Sequence, residues 1–153
     1  MRSRPMAPLS AMRWVVVAIY FCGVVVYPVV GALVKTQTHL GPALQRLLPN
    51  VLLGAALVAY LASLAVEKVM LRAARRRGAP LSASTTAVIV SAFGEAISVL
   101  GLMLSLLGIP GWSPVFYGLC LAHGVHLALR WSAYQEIASG TGNESDESPA
   151  EEV

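Results

Sequence analysis

Four stretches of this chain are too long and too apolar for a water-soluble fold: about 14–34, 51–71, 84–107 and 112–132. A helix needs about 20 residues to cross the hydrocarbon core of a bilayer, and each stretch meets that length. No water is available there to the backbone, so its N–H and C=O groups must pair within the segment, which selects helices. The run VVVAIYFCGVVVYPVV would favour a strand in water. In lipid that preference is overridden, and Pro28 within it predicts a kink. The expected fold class is therefore all-α: an integral membrane four-helix bundle over residues 1–136, followed by a tail over 137–153.

The charge content supports this reading. Charged residues make up 12% of the chain, against about 25% in soluble domains, and the mean hydropathy is +0.67. The tail, with SGTGNESDESPAEEV at its end, is acidic and lacks aromatics, a composition that predicts disorder. The net charge of +3 does not suggest nucleic acid as a partner, because the bases flank the apolar runs. With four spans, nine Lys and Arg share one side: Arg2, Arg4, Arg13, Lys68, Arg72, Arg75, Arg76, Arg77 and Arg130. Only Lys35 and Arg46 face the other. The positive-inside rule then puts both termini in the cytoplasm. The first run exceeds the 7–15 residues of a signal-peptide core, so it reads as an uncleaved span. The outer loop KTQTHLGPALQRLLPN predicts a short surface helix after Gly41-Pro42. Cys22 and Cys120 both lie in apolar runs and read as two buried thiols rather than a disulfide framework.

Within the third run the one charged residue is Glu95. An ionised carboxylate at mid-membrane costs about 2.5–3.5 kcal/mol on insertion scales, so it calls for a proton or a partner. Gly108-Ile109-Pro110-Gly111 predicts a tight turn that folds the third and fourth runs into an antiparallel hairpin. Glu95 lies fifteen residues before Pro110 and His126 sixteen after it, which puts them level. His123, His126, Arg130 and Tyr134, spaced three, four and four apart, share one face of the fourth helix. Glu95, His126, His123 and Arg130 are thus the candidate proton- or ion-binding residues, with Glu95 paired to His126 or Arg130. Such a set serves either a proton relay or a polar tie between helices. Zinc ligation by His123, His126 and Glu95 is a third option that nothing else in the sequence supports, and no cofactor or enzyme motif is expected. Gly94, Ser98, Gly101 and Ser105 are the candidate helix-packing residues, and Ala55, Ala59, Ala62 and Ala65 form a second small stripe. These faces suit an intramolecular bundle, a homo-oligomer or a membrane-protein partner alike.

The run AFGEAISVLGLMLSLLG, Ala92 to Gly108, resembles the carboxylate helix of the ATP synthase proteolipid, the c subunit. There a small residue precedes Glu, Ala follows it, and a Gly and a Leu/Val/Met tail come after an apolar stretch. The resemblance implies that Glu95 is the ion-carrying carboxylate and Gly101 the glycine behind it, with the basic loop 75–80 on the cytoplasmic side. It covers one helix and its loop. The chain as a whole resembles small bacterial four-helix membrane proteins that share such a helix, which implies a bacterial inner (plasma) membrane and names no activity. The expectation is a non-enzymatic, multi-pass protein with an accessory or scaffolding role. The alternative is a proton- or ion-translocating component working through Glu95.

Overall fold

The computed structural model describes residues 9–34, 40–77 and 80–139, all in helices and short connections. Helix α1 (Leu9–Phe21) passes through a π-helical segment, Cys22–Val26, into α2 (Tyr27–Leu33). Helix α3 spans Pro42–Arg77 and α4 spans Pro80–Leu106. A 3₁₀ turn, Pro110–Trp112, leads into α5 (Ser113–Leu129), and α6 (Trp131–Ser139) follows after Arg130. Among the described residues, three helical stretches are long and apolar enough to cross a membrane: Arg13–Leu33, Pro42–Arg76 and Ala83–Leu106.

Local chemistry explains the irregularities. Pro28 has no N–H, and its ring would clash with the carbonyl four residues back. Just before it the Tyr27 N–H reaches the Cys22 carbonyl, a five-residue step that widens the turn. The kink expected at Pro28 thus takes the form of a π-helical segment. The separate surface helix expected after Gly41-Pro42 is not separate: those residues open α3, which runs on through the buried Pro49. At 36 residues α3 is about 54 Å long, well beyond the ~30 Å hydrocarbon thickness. Its exposed Arg72, Arg75 and Arg76 lie at its C-terminal end, where Leu71 and Ala74 are buried against α4 and α6. Helix α6 takes in residues 137–139, which the sequence assigned to the tail, and buries Ile137. Residues 140–153 lie outside the described residues, as do Arg2, Arg4 and Lys35.

Helix α4 is the centre, packing against α3 on one side and against α1, α2, α5 and α6 on the others. Its small residues make this closeness feasible. A Cβ on Gly101 would come within 2.9 Å of Phe116 Cβ, and one on Gly94 within 2.8 Å of the Tyr20 ring and 3.0 Å of His123 Nδ1. Ser98 and Ser105 face glycines in return, since a Cβ on Gly23 would come within 2.7 Å of Ser98 Oγ and one on Gly31 within 2.8 Å of Ser105 Cβ. Helices in lipid gain by this tight approach because no hydrophobic force drives them together. The alanine stripe of α3 only partly faces the interior: Ala55 and Ala65 are exposed, Ala59 packs on the core, and the buried face runs through Ala56, Ser63, Glu67, Leu71 and Ala74.

Helix α4 ends in a Schellman motif. Gly108 takes a positive φ of 78°, its N–H bonds the Ser105 carbonyl, and the Ile109 N–H bonds the Leu104 carbonyl at 2.9 Å. Across the hairpin Gly101 meets Phe116, Ser105 Oγ meets Ser113 Oγ at 2.6 Å, and Gly94 meets His123. The pivot is therefore Gly108–Ile109, not Pro110. Two apolar clusters result. One joins Ala56, Ile97, Leu104 and Phe116 near the hairpin turn; the other joins Leu71, Ala87, Val90, Leu127 and Tyr134 at the far end. Between them lies a belt of polar side chains. Replacing Gly101 by Val should force α4 from α5 and destabilise the protein by about 1–3 kcal/mol, the range for overpacking. The check is reversible unfolding in mixed micelles; an unchanged midpoint would refute the close hairpin packing.

Candidate functional site

The belt is built from four helical segments at matching depth. Helix α3 contributes Ser63 and Glu67, one turn apart, and α5 contributes His123 and His126, also one turn apart. Arg130 follows directly after α5. Helix α4 contributes Ser91 and Glu95, and the first rod contributes Tyr20 and Tyr27. The backbones of α3 and α5 meet at few points, because α4 lies along both. Long polar side chains bridge what is left.

Glu67 is fully buried. His126 Nε2 donates to its Oε2 at 3.0 Å, and the Arg130 guanidinium approaches its Oε1 at 3.4 Å. The two donors are themselves partly exposed, with side chains 31% and 38% accessible, so the carboxylate is the dry end of the ion pair. Tyr134 is fully buried and within electrostatic reach of Glu67. Of the polar face that runs from α5 into α6, His126 and Arg130 thus meet Glu67, while the buried Tyr134 Oη and Glu67 Oε1 have no hydrogen-bond partner among the described residues.

The fourth member, His123, is fully buried one turn closer to the hairpin. Its Nε2 lies 2.7 Å from Ser63 Oγ and its Nδ1 lies 2.5 Å from Tyr20 Oη. The Ser63 hydroxyl gives its one proton to the Tyr60 carbonyl at 2.8 Å. It must then accept from His123, which fixes the proton on Nε2 and leaves Nδ1 to accept from Tyr20. The Tyr60 ring closes the pocket edge-on to the imidazole, with centroids 5.3 Å apart. Both ring nitrogens are satisfied within the protein, as burial demands.

Glu95 has a different neighbour from the one the sequence suggests. Tyr27 Oη donates to its Oε1 at 2.8 Å, and Ser98 Oγ bonds the Glu95 carbonyl at 2.8 Å. The expected pairing of Glu95 with His126 or Arg130 is thus corrected: the carboxylate that receives both is Glu67. Two physical reasons account for the error. With the pivot at Gly108–Ile109, Gly94 lies level with His123, and His126 falls about one turn beyond Glu95. In addition Gly94 rather than Glu95 faces α5, while Glu95 is rotated round α4 toward Tyr27. His123, His126 and Glu95 accordingly go to separate partners, and among the described residues no group of three or more His, Cys, Asp or Glu could hold a metal ion.

Glu67, Ser63, Tyr20 and Tyr27 are the site residues the sequence reading passed over. Glu67 stands beside Lys68, which made it look like the polar exit of a span. The available signal was spacing: Tyr60, Ser63 and Glu67 are three and four apart, the same rhythm as His123, His126 and Arg130. Two helices carrying matched polar faces can cross-link rung by rung. Compared with known proteins, the chain matches no family model, no curated protein and no solved structure.

Removing a hydroxyl from the His123 pocket leaves a buried nitrogen without its partner, which costs about 1–3 kcal/mol. Tyr20→Phe should lower stability within that range, and Ser63→Ala should do the same from the other side of the ring. Chemical unfolding in mixed micelles reads both; a Tyr20→Phe protein as stable as the parent would contradict the bond to Nδ1.

Proposed function

We propose that this chain is a non-enzymatic, four-span protein of a bacterial inner membrane, with both termini in the cytoplasm and an accessory or scaffolding role. The observation that carries this reading is the pairing across helices: Glu67, His123 and Glu95 each have a partner on another helical segment. Polar groups so engaged act as ties that fix one arrangement of helices, each interhelical bond contributing about 0.6–2 kcal/mol in a membrane. A rigid bundle of this kind presents its outer faces to lipid, to a membrane-protein partner or to a second copy.

The outer face of α5 supports counting it as a span. Leu121, Val125 and Leu129, four apart, are 53%, 51% and 78% exposed, an apolar stripe suited to lipid. With 17 residues, α5 is about 26 Å long, close to the ~30 Å hydrocarbon thickness, and α6 follows after Arg130. The exposed Arg72, Arg75 and Arg76 and the flanking Arg13 and Arg130 then lie at one end, which supports a cytoplasmic assignment for that end.

A second reading has its own support. The Ser63–His123 and Glu67–His126 pairs stand one turn apart, and Glu95 is only half-buried. A proton-translocating component would use such a series, with Glu95 as the titrating group. Two experiments separate the readings. Reporter fusions at the two termini should both register cytoplasm; opposite sides would mean an odd number of spans. The purified chain in vesicles loaded with a pH-sensitive dye should leak protons no faster than empty vesicles. A flux that Glu95→Gln abolishes would replace the scaffold with the translocator.

A further inference from the structure

Helix α1 and the α5–α6 rod do not close on each other along their full length. Between them runs a crevice of about 520 Å³, within the ~300–1,000 Å³ of ligand sites. We propose that it holds one anionic phospholipid, with the headgroup at Arg13 and an acyl chain along α5.

The lining is graded. Arg13, Trp131, Ser132 and Gln135 form one end; Val17, Tyr20, Leu121 and Val125 form the other. On the α5–α6 side the lining runs from Leu121 to Gln135 across the break at Arg130, at most about 21 Å at 1.5 Å per residue. One leaflet of a ~30 Å hydrocarbon core is about 15 Å thick, so the crevice matches a single leaflet plus its headgroup layer. The polar end coincides with the basic end of the molecule, where Trp131 suits the interface. No carboxylate among the described residues lines the crevice. No carboxylate of the lining thus competes for the exposed Arg13 guanidinium, and a lipid phosphate offers two oxygens to its fork of donors. Basic recesses between spans on the cytoplasmic side suit acidic headgroups for the same reason.

The floor depends on Gly124. Any Cβ there would come within 2.9 Å of Tyr20 Cδ1, so the glycine lets the Tyr20 ring lie against α5. The same tyrosine bonds His123 through its hydroxyl. One side chain thus closes the crevice on one edge and the polar belt on the other. The crevice faces outward between two helices whose neighbouring residues are apolar and exposed, including Val15 at 49% and Leu129 at 78%. A lipid can enter sideways from the bilayer without passing through water. A second copy of the chain fits less well, since it would set its own apolar surface against the Arg13 rim.

The test is native mass spectrometry of the full chain in mild detergent, titrated with phosphatidylglycerol or phosphatidylcholine of identical acyl chains. The monomer should retain one lipid, with phosphatidylglycerol preferred. Arg13→Gln should lower that preference about fivefold, the value of one basic residue at an anionic surface. Ala128→Phe, which fills the crevice, should reduce retention of both lipids, while Arg72→Gln on α3 should alter neither. Equal retention of the two lipids by the parent would overturn the proposal. So would an equal effect of Arg13→Gln and Arg72→Gln, undiminished retention by a folded Ala128→Phe protein, or a lipid-free dimer. If Ala128→Phe does not fold, the comparison of the two exposed arginines decides alone.

Discussion

A carboxylate with no exposed surface, inside an apolar helix, dictates much of how this bundle goes together. Glu67 cannot be left in a dry interior without opposite charge, because an unpaired buried ion costs several kcal/mol. His126 and Arg130 answer it from another rod, across a gap that α4 partly occupies. That requirement fixes the rotation of α3, the rotation of α5 and their relative height at once. Apolar contacts alone are poor at this task in lipid, where one oily face resembles another.

The remainder of the packing accommodates this tie. Glycines and serines on α4 keep it slim enough for its neighbours to close round it, and the π-helical segment brings Gly23 against Ser98 and Tyr27 to Glu95. The two apolar clusters then lie above and below the polar layer. His123 completes that layer with neutral partners, one from each adjoining helix, so it ties three segments without adding charge. Tyr20 belongs to both the belt and the lining of the crevice outside it.

Much of the architecture was legible from hydropathy alone: the all-helical class, the apolar stretches that begin the bundle, the turn at Gly108 and the inward polar face of His123, His126, Arg130 and Tyr134. Spacing captured that face because helical periodicity is a local property. The partner of the face was not legible, since it depends on the register between helices. Counting from Pro110 rather than from Gly108–Ile109 moved the level by about one turn, enough to exchange His126 for His123 opposite the Glu95 region. Rotation mattered equally, because neighbouring positions 94 and 95 point about 100° apart on a 3.6-residue helix. Residues Pro42 to Pro49, the first two turns of α3, misled for a different reason: proline usually ends a helix in water, whereas a membrane-associated helix accommodates one more readily.

The tie between Glu67 and Arg130 is most directly tested by a double-mutant cycle on unfolding in mixed micelles, using Glu67→Gln, Arg130→Gln and the combined variant. The account predicts that Arg130→Gln alone costs more than the combined change, because it leaves a buried carboxylate short of its counter-charge. The coupling should then fall in the 0.5–3 kcal/mol range of groups in one network, whereas costs that simply add to within about 0.5 kcal/mol would contradict it.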